Sequence, residues 1–236
     1  RQPNYSPDGR LLVNGEGGGN ESIIYTISNQ PVTDHVEDGY PHWAPDGNSM
    51  VYATTANAGR RSQLYIQGDA RKKFASEPMR VAGAELRGQD PIYLNNWRIA
   101  YSGCDQWAGG SNCGIYTIDT NGGQPNRVTG RTDDVPTGKL GDGILFMSQR
   151  EGSWDVFTVH WDGSDLQQLT DSPSRDGLAT VSPDGQYIAF ISDRDGGWGI
   201  FVMRSNGTGV TKLFDLGQDF GSGDQDWTRE RISWGP

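Results

Sequence analysis

The stretch Ser192-Asp193-Arg194-Asp195-Gly196-Gly197-Trp198 sets two carboxylates on alternate residues ahead of a glycine pair, much as calcium loops begin. As metal chemistry it would offer Asp193 and Asp195 as oxygen ligands for a hard cation. A second stretch weighs against that. Ser148-Gln149-Arg150-Glu151-Gly152-Ser153-Trp154 repeats Ser, an acid three residues on, Gly, and Trp six after the Ser, yet puts Gln149 where Asp193 stands. No bidentate Glu follows at the distance a helical calcium hand requires. Two readings stay open: a turn between two strands, or a loop-bound calcium. In either, the tryptophan is core packing or a stacking surface.

A second set of residues is spread along the chain. Asp38, Asp90, Asp134, Asp176 and Asp224 recur once in each of five successive segments, and Asp38, Asp134 and Asp176 keep one offset to the turn that follows. Brought together at a channel mouth, they would form an anionic funnel for a metal ion, a cationic peptide segment or sugar hydroxyls. Left apart, each would cap backbone N–H groups of its own connection. Trp107, Trp154 and Trp198 fall in loops of one kind, where indole faces suit a peptide, protein or glycan. Cys104 and Cys113 flank Trp107 with no other cysteine to pair with, which reads as a disulfide stapling a long loop in an oxidising compartment. Zinc lacks its donors, because His35, His42 and His160 lie in different segments and a structural site takes four.

Catalytic patterns are harder to find. There is no Gly-x-Ser-x-Gly elbow and no strand–helix alternation to hold one. A sialidase-like box needs its acid two residues after the Ser, where Arg194 stands. Glycoside chemistry would need two rim carboxylates about 5 to 10 Å apart.

The elements that position these residues repeat. Tyr25, Tyr65, Tyr116, Phe157 and Phe201 sit at the same place in five short apolar runs, at spacings of 40, 51, 41 and 44 residues. A second marker precedes the runs: Ser6-Pro7-Asp8-Gly9, Ala44-Pro45-Asp46-Gly47 and Ser182-Pro183-Asp184-Gly185, with Leu140-Gly141-Asp142-Gly143 and Asn95-Asn96 as degenerate forms. Each repeat reads as four strands, A to D, in an antiparallel meander. Pro-Asp-Gly closes the A–B turn, and nearly every residue of strand B is apolar, as expected when both faces are covered. A meander of about 40 to 45 residues cannot bury two apolar faces alone, and radial stacking solves that.

The expected fold is therefore all-β, a β-propeller of four-stranded antiparallel blades. Repeats span approximately 1–36, 37–86, 87–132, 133–174 and 175–218, with a partial sixth over 219–236; a closed five-bladed ring is the alternative. In such a ring the B–C turns and D–A connections share one end, so the aspartates and loop tryptophans are expected on a single rim.

The unit made by Ser182-Pro183-Asp184-Gly185, the apolar run Tyr187 to Ile191, Ser192-Asp193-Arg194-Asp195-Gly196 and Ile200-Phe201-Val202-Met203 resembles the WD-repeat-like propeller unit of the TolB type. The likeness extends over nearly the whole chain and concerns turns and strands, so it speaks to fold rather than activity. It implies a family that also occurs as extracytoplasmic domains of bacterial sensor proteins and as the cap of prolyl-oligopeptidase-like enzymes.

Composition narrows the function classes. With 236 residues, 33% of them hydrophobic, the chain can bury one substantial core. Its formal charge of −10 repels phosphate backbones and anionic lipid surfaces, so nucleic acid is not expected, and with no stretch of eighteen or more apolar residues neither is membrane insertion. The chain opens at Arg1 inside a repeat, which suggests a monomeric domain of something longer. The leading expectation is a non-catalytic recognition propeller, secreted, periplasmic or at the cell surface, that requires no cofactor beyond a possible calcium. A substrate-binding or gating module of an enzyme, and a carbohydrate-active propeller, are the alternatives.

Overall fold

The computed structural model describes residues 2–17, 21–26, 31–33, 37–55, 62–70, 79–81, 88–104, 111–217, 220–221 and 226–236. Short apolar runs bounded by tight turns form five antiparallel sheets, taken in order along the chain. The first holds β1 (Asn4–Tyr5), β2 (Leu11–Gly17) and β3 (Glu21–Thr26). The second holds β4 (Gly39–Trp43), β5 (Met50–Thr54), β6 (Gln63–Gln67) and β7 (Met79–Arg80). The third is β8 (Gln89–Asn95), β9 (Arg98–Gly103), β10 (Gly114–Asp119) and β11 (Asn126–Arg127). The fourth is β12 (Val135–Leu140), β13 (Gly143–Ser148), β14 (Asp155–His160) and β15 (Gln167–Gln168). The fifth is β16 (Asp176–Val181), β17 (Tyr187–Ser192), β18 (Gly199–Arg204) and β19 (Thr211–Asp215).

The first blade carries its fourth strand in reduced form. Val32 N–H donates to the Ile24 carbonyl at 2.8 Å, the same bond that Val81, Val128 and Leu169 make to Leu64, Ile115 and Val156. The Pro-Asp-Gly turns behave as their sequence implies: Gly9, Gly47 and Gly185 take φ of 83°, 67° and 72°. Their N–H groups donate to Ser6, Ala44 and Ser182.

Four blades carry an aromatic pair on their two central strands, Tyr52–Tyr65, Tyr101–Tyr116, Phe146–Phe157 and Phe190–Phe201, with ring centroids 5.5 to 6.0 Å apart. These pairs face the preceding blade. Phe190 and Phe201 meet Leu145, Val156 and Leu169, and Tyr52 meets Leu12, Ile24 and Val32. Burying such rings on both sides of each joint is what holds neighbouring sheets together.

The inner strands β4, β8, β12 and β16 each slip register near their start, after Gly39, Gln89, Pro136 and Gly177. In three of them the bulged residue, Tyr40, Asp90 or Leu178, takes a left-handed φ of 55°, 52° or 50°. Together the inner strands line a central channel of about 220 Å³.

Residues 231–234 complete that lining. Asp226 caps a short 3-10 turn, Trp227–Arg229, by accepting from Thr228 N–H, and the chain then runs to Pro236 between the first and fifth blades. Gln2 Nε2 donates to the Arg229 carbonyl at 3.1 Å, and Tyr5 N–H to Ser233 Oγ at 3.1 Å. Residues 231–234 lie in the channel wall as a sixth inner segment. The ring is a β-propeller of five blades and the beginning of a sixth, whose inner segment makes no strand pairing among the described residues.

Candidate functional site

One small unit is built twice. At the entrance of β12 and of β16 stand Asp134 and Asp176, both fully buried. Ser148 and Ser192 end the adjacent strands β13 and β17, and two residues later an arginine folds back over the blade. Arg150 Nη2 donates to Asp134 Oδ1 at 2.6 Å, and Arg194 Nη2 to Asp176 Oδ2 at 2.8 Å. Each guanidinium also lies over its blade's aromatic pair, Arg150 at 5.0 and 4.9 Å from Phe146 and Phe157, Arg194 at 5.2 and 5.1 Å from Phe190 and Phe201. A carboxylate this deep is tolerable only when paired, and a flat cation that stacks on rings can pair it without leaving the core. The aspartates therefore do not stand open around the mouth; the arginines cover them.

Asp38 holds the same register in the second blade and is likewise buried, its carbonyl accepting from Asn14 Nδ2 at 2.7 Å. Asp90 differs. The pairing of Gln89 with Ser102 puts Gly88 where the other blades have Asp, and Asp90 falls two residues on, at the bulge. There it is bonded to Arg231 of the C-terminal segment, which also lies over the Tyr40 ring. Burial pushes the Asp90 carboxyl pKa up, and Arg231 opposes that shift. His42, on the neighbouring inner strand, is pushed down to about 4 by burial, with the Trp43 carbonyl opposing and Arg231 adding to the effect. Asp224 and Trp107 lie outside the described residues, as does His35.

The loops above these pairs are tied blade by blade. In the fourth, Asp133 accepts from Gln149 N–H at 2.7 Å; in the fifth the polarity is reversed, with Arg175 N–H and Nε donating to Asp193 at 2.8 Å each. Burial resists ionisation of Asp133, but the Gln149 N–H and Arg131 win and hold its pKa below the ordinary carboxylate value. Asp195 lies 3.3 Å from Lys212 Nζ. Both carboxylates of the calcium-like stretch thus answer cations of their own blade. Among the described residues no three His, Cys, Asp or Glu side chains gather as a metal set.

Trp154 and Trp198 come together at this end around a residue that the loop pattern leaves out. Trp227 is buried between them, with ring centroids 5.8 Å from Trp154 and 4.9 Å from Trp198. Gly177 leaves room for it: a Cβ there would meet Met147 Sδ at 2.8 Å and the Trp227 ring at 3.0 Å. Arg175 stacks on the outer face of Trp198 at 4.5 Å. Phe220 meets Trp198 edge-on at 5.4 Å, so Trp198 is packed by Trp227, Phe220 and Arg175, and only part of either tryptophan reaches the surface. Cys104 and Cys113 are joined by a disulfide.

Between the fourth and fifth blades a polar seam runs beside this cluster. Asp155 accepts from Thr170 Oγ1 at 3.1 Å, Ser153 Oγ lies 2.9 Å from both Asp155 Oδ2 and the Ser172 carbonyl, and Ser172 Oγ donates to Asp176 at 3.1 Å. Burial raises the Asp155 pKa, the Ser153 and Thr170 bonds oppose, and nearby Asp176 adds to the rise. Sequence reading passed over Arg150, Arg194, Trp227 and Arg231. For the first two a signal was present, since Ser148 and Ser192 are each followed two residues later by Arg.

No family model matches the sequence. An uncharacterized protein of Agrobacterium fabrum is 28% identical over 205 residues, 79% of this chain and 63% of that relative, so the chain spans under two thirds of its length. Among solved structures, a TolB-type protein from Agrobacterium tumefaciens superposes with a TM-score of 0.73 at 22% identity, covering 98% of this chain and 84% of the other. TolB from Acinetobacter baumannii gives 0.66 at 19%, over 91% of this chain and 51% of its own. Enzymes share the architecture: oligogalacturonate lyase from Vibrio parahaemolyticus gives 0.61 at 13%, over 92% and 65%. The fold of this chain is that of the TolB-like β-propellers.

Proposed function

We propose that the chain is a non-catalytic recognition propeller that engages a protein or peptide partner at the end carrying Trp154, Trp198 and Arg175. The observation that carries this reading is the state of the acids there. Asp134, Asp176, Asp133 and Asp193 are all bonded to arginines or backbone N–H groups, while the exposed Arg175 guanidinium and the partly exposed Trp154 and Trp198 rings remain at the surface. Acid–base chemistry needs a carboxyl group free to exchange a proton with substrate. Stacked Trp and Arg faces suit recognition instead, as both are enriched where partners bind. The TolB structures and the lyase share this architecture, so the fold alone favours no role and the reading rests on the side chains. The disulfide supports an extracytoplasmic setting. Among the described residues no helix is long and apolar enough to cross a membrane.

The test is selection of a displayed peptide library against the immobilised protein, followed by rebinding to Trp198→Ala and Arg175→Ala variants. Selected peptides should compete with one another and bind each variant at least about tenfold more weakly. Cleavage of polygalacturonate by the wild-type protein, or selected peptides indifferent to both substitutions, would overturn the reading.

A further inference from the structure

The fourth and fifth blades carry one side-chain arrangement with one member changed. In the fifth, Asp195 lies six residues before the central Phe201, Lys212 eleven after it, and Asp215 three further. In the fourth, Glu151, Phe157, Gln168 and Asp171 keep every one of those intervals. The strand pairing agrees, since Lys212 is set opposite Phe201 and Gln168 opposite Phe157. The two acids therefore hold equivalent places, and what differs is the residue set opposite the aromatic.

In the fifth blade the lysine fills a seat. Its Nζ lies 3.3 Å from Asp195, is bonded to Asp215 and sits 5.7 Å from the centre of the Phe201 ring. Asp215, with Asp195 adding to it, holds the Lys212 pKa above the ordinary lysine value against the effect of burial. The stem reaches this place because Gly199 leaves room; a Cβ there would meet Lys212 Cε at 3.0 Å. The fourth blade closes that route. Asp155 stands in place of Gly199, as their pairings with Ser148 and Ser192 show, and Gln168 carries no charge. Glu151, Gln168 and Asp171 are exposed, and their side chains form no hydrogen bond or ion pair among the described residues. The Ser153 hydroxyl, 2.9 Å from the Ser172 carbonyl, ties the two acid-bearing segments together at the end that carries Trp154.

The ammonium that fits this seat must then come from outside. Two like charges held open on tied segments attract a cation, and a net charge of −10 steers one toward the surface. Among the described residues no three carboxylates or imidazoles gather to hold a metal, whereas the equivalent seat one blade on holds an ammonium. We propose that Glu151 and Asp171 form the seat for a lysine side chain of the peptide partner, docked at the Trp154 end as Lys212 is docked in the fifth blade. The inference rests on the recognition reading above and names the chemistry of its partner.

The probes are peptides selected from a random displayed library on the wild-type protein, then synthesised with a label and titrated by anisotropy against two variants of equal charge. Glu151→Gln with Asp171→Asn empties the seat. Asp142→Asn with Asp165→Asn removes the same charge from turns at the opposite end. Selected peptides should carry lysine, bind the first variant about three- to tenfold more weakly, and bind the second as they bind wild type. Replacing the peptide's lysine by glutamine should cost the same factor on wild type and nothing further on the first variant. All four substitutions fall on exposed residues, and melting temperatures no lower than wild type would show the fold intact. Peptides without lysine, or equal weakening by the two variants, would overturn the inference and leave the recognition reading standing. A library that yields no binder would overturn both.

Discussion

Leu169 and Leu213 are the same residue type in the same register, one under a neighbouring sheet and the other exposed. The fourth and fifth blades close on each other with Phe190, Phe201, Leu145 and Val156, and the seam through Asp155, Ser172 and Asp176 seals their edge. Among the described residues, the fifth and first blades meet through residues 226–236, which Gln2 and Tyr5 hold by single hydrogen bonds. In a radial fold, therefore, burial belongs to the joint rather than to the blade. A strand whose own pattern promises a core residue delivers one only when the next sheet arrives.

Substitutions can break or sharpen that contrast. The largest effect is expected for Phe190→Ala in the closed joint, about 3 to 5 kcal/mol by denaturant unfolding, since a fully buried ring leaves a cavity between two sheets. Arg194→Ala should cost about 2 to 4 kcal/mol, because it strands the buried Asp176 carboxylate. The paired test is Leu169→Ala against Leu213→Ala: about 2 to 3 kcal/mol for the first and under about 1 for the second. Equal losses would mean that the two leucines are equally covered in solution.

The smallest effect concerns the seam. The pKa of folded Asp155 lies above its unfolded value, so the folded state holds that proton more tightly. Its contribution is full at low pH and is lost as pH rises through the raised value. Asp155→Asn removes the titration. The stability of wild type minus that of the variant should therefore fall as pH climbs from about 4, and a flat difference would refute the assignment.

Much of the fold was legible because its signals are local. Turn glycines, the aromatic at the centre of each third strand and the apolar second strands are set by backbone geometry and pleat, and they recur in register. The site was less so. The equal offsets of Asp38, Asp134 and Asp176 are visible in the sequence, but that Asp134 and Asp176 lie beneath arginines depends on how side chains of successive strands cross. Asp90 looked like one more member until the pairing of Gln89 with Ser102 moved it two residues along. Trp227 was invisible as a partner of Trp154 and Trp198, since 73 and 29 residues separate it from them in the chain and only the stacking of successive segments joins them.

The pairing of Arg231 with Asp90 has a mechanical side. The inner strands succeed one another around the axis, with the C-terminal segment in the sixth place, so β8 and that segment stand on opposite walls. Their ion pair is a crossbar over the lumen. Side chains from opposite walls meet in that bond, so it narrows the lumen at its level and ties the sixth inner segment to the third blade.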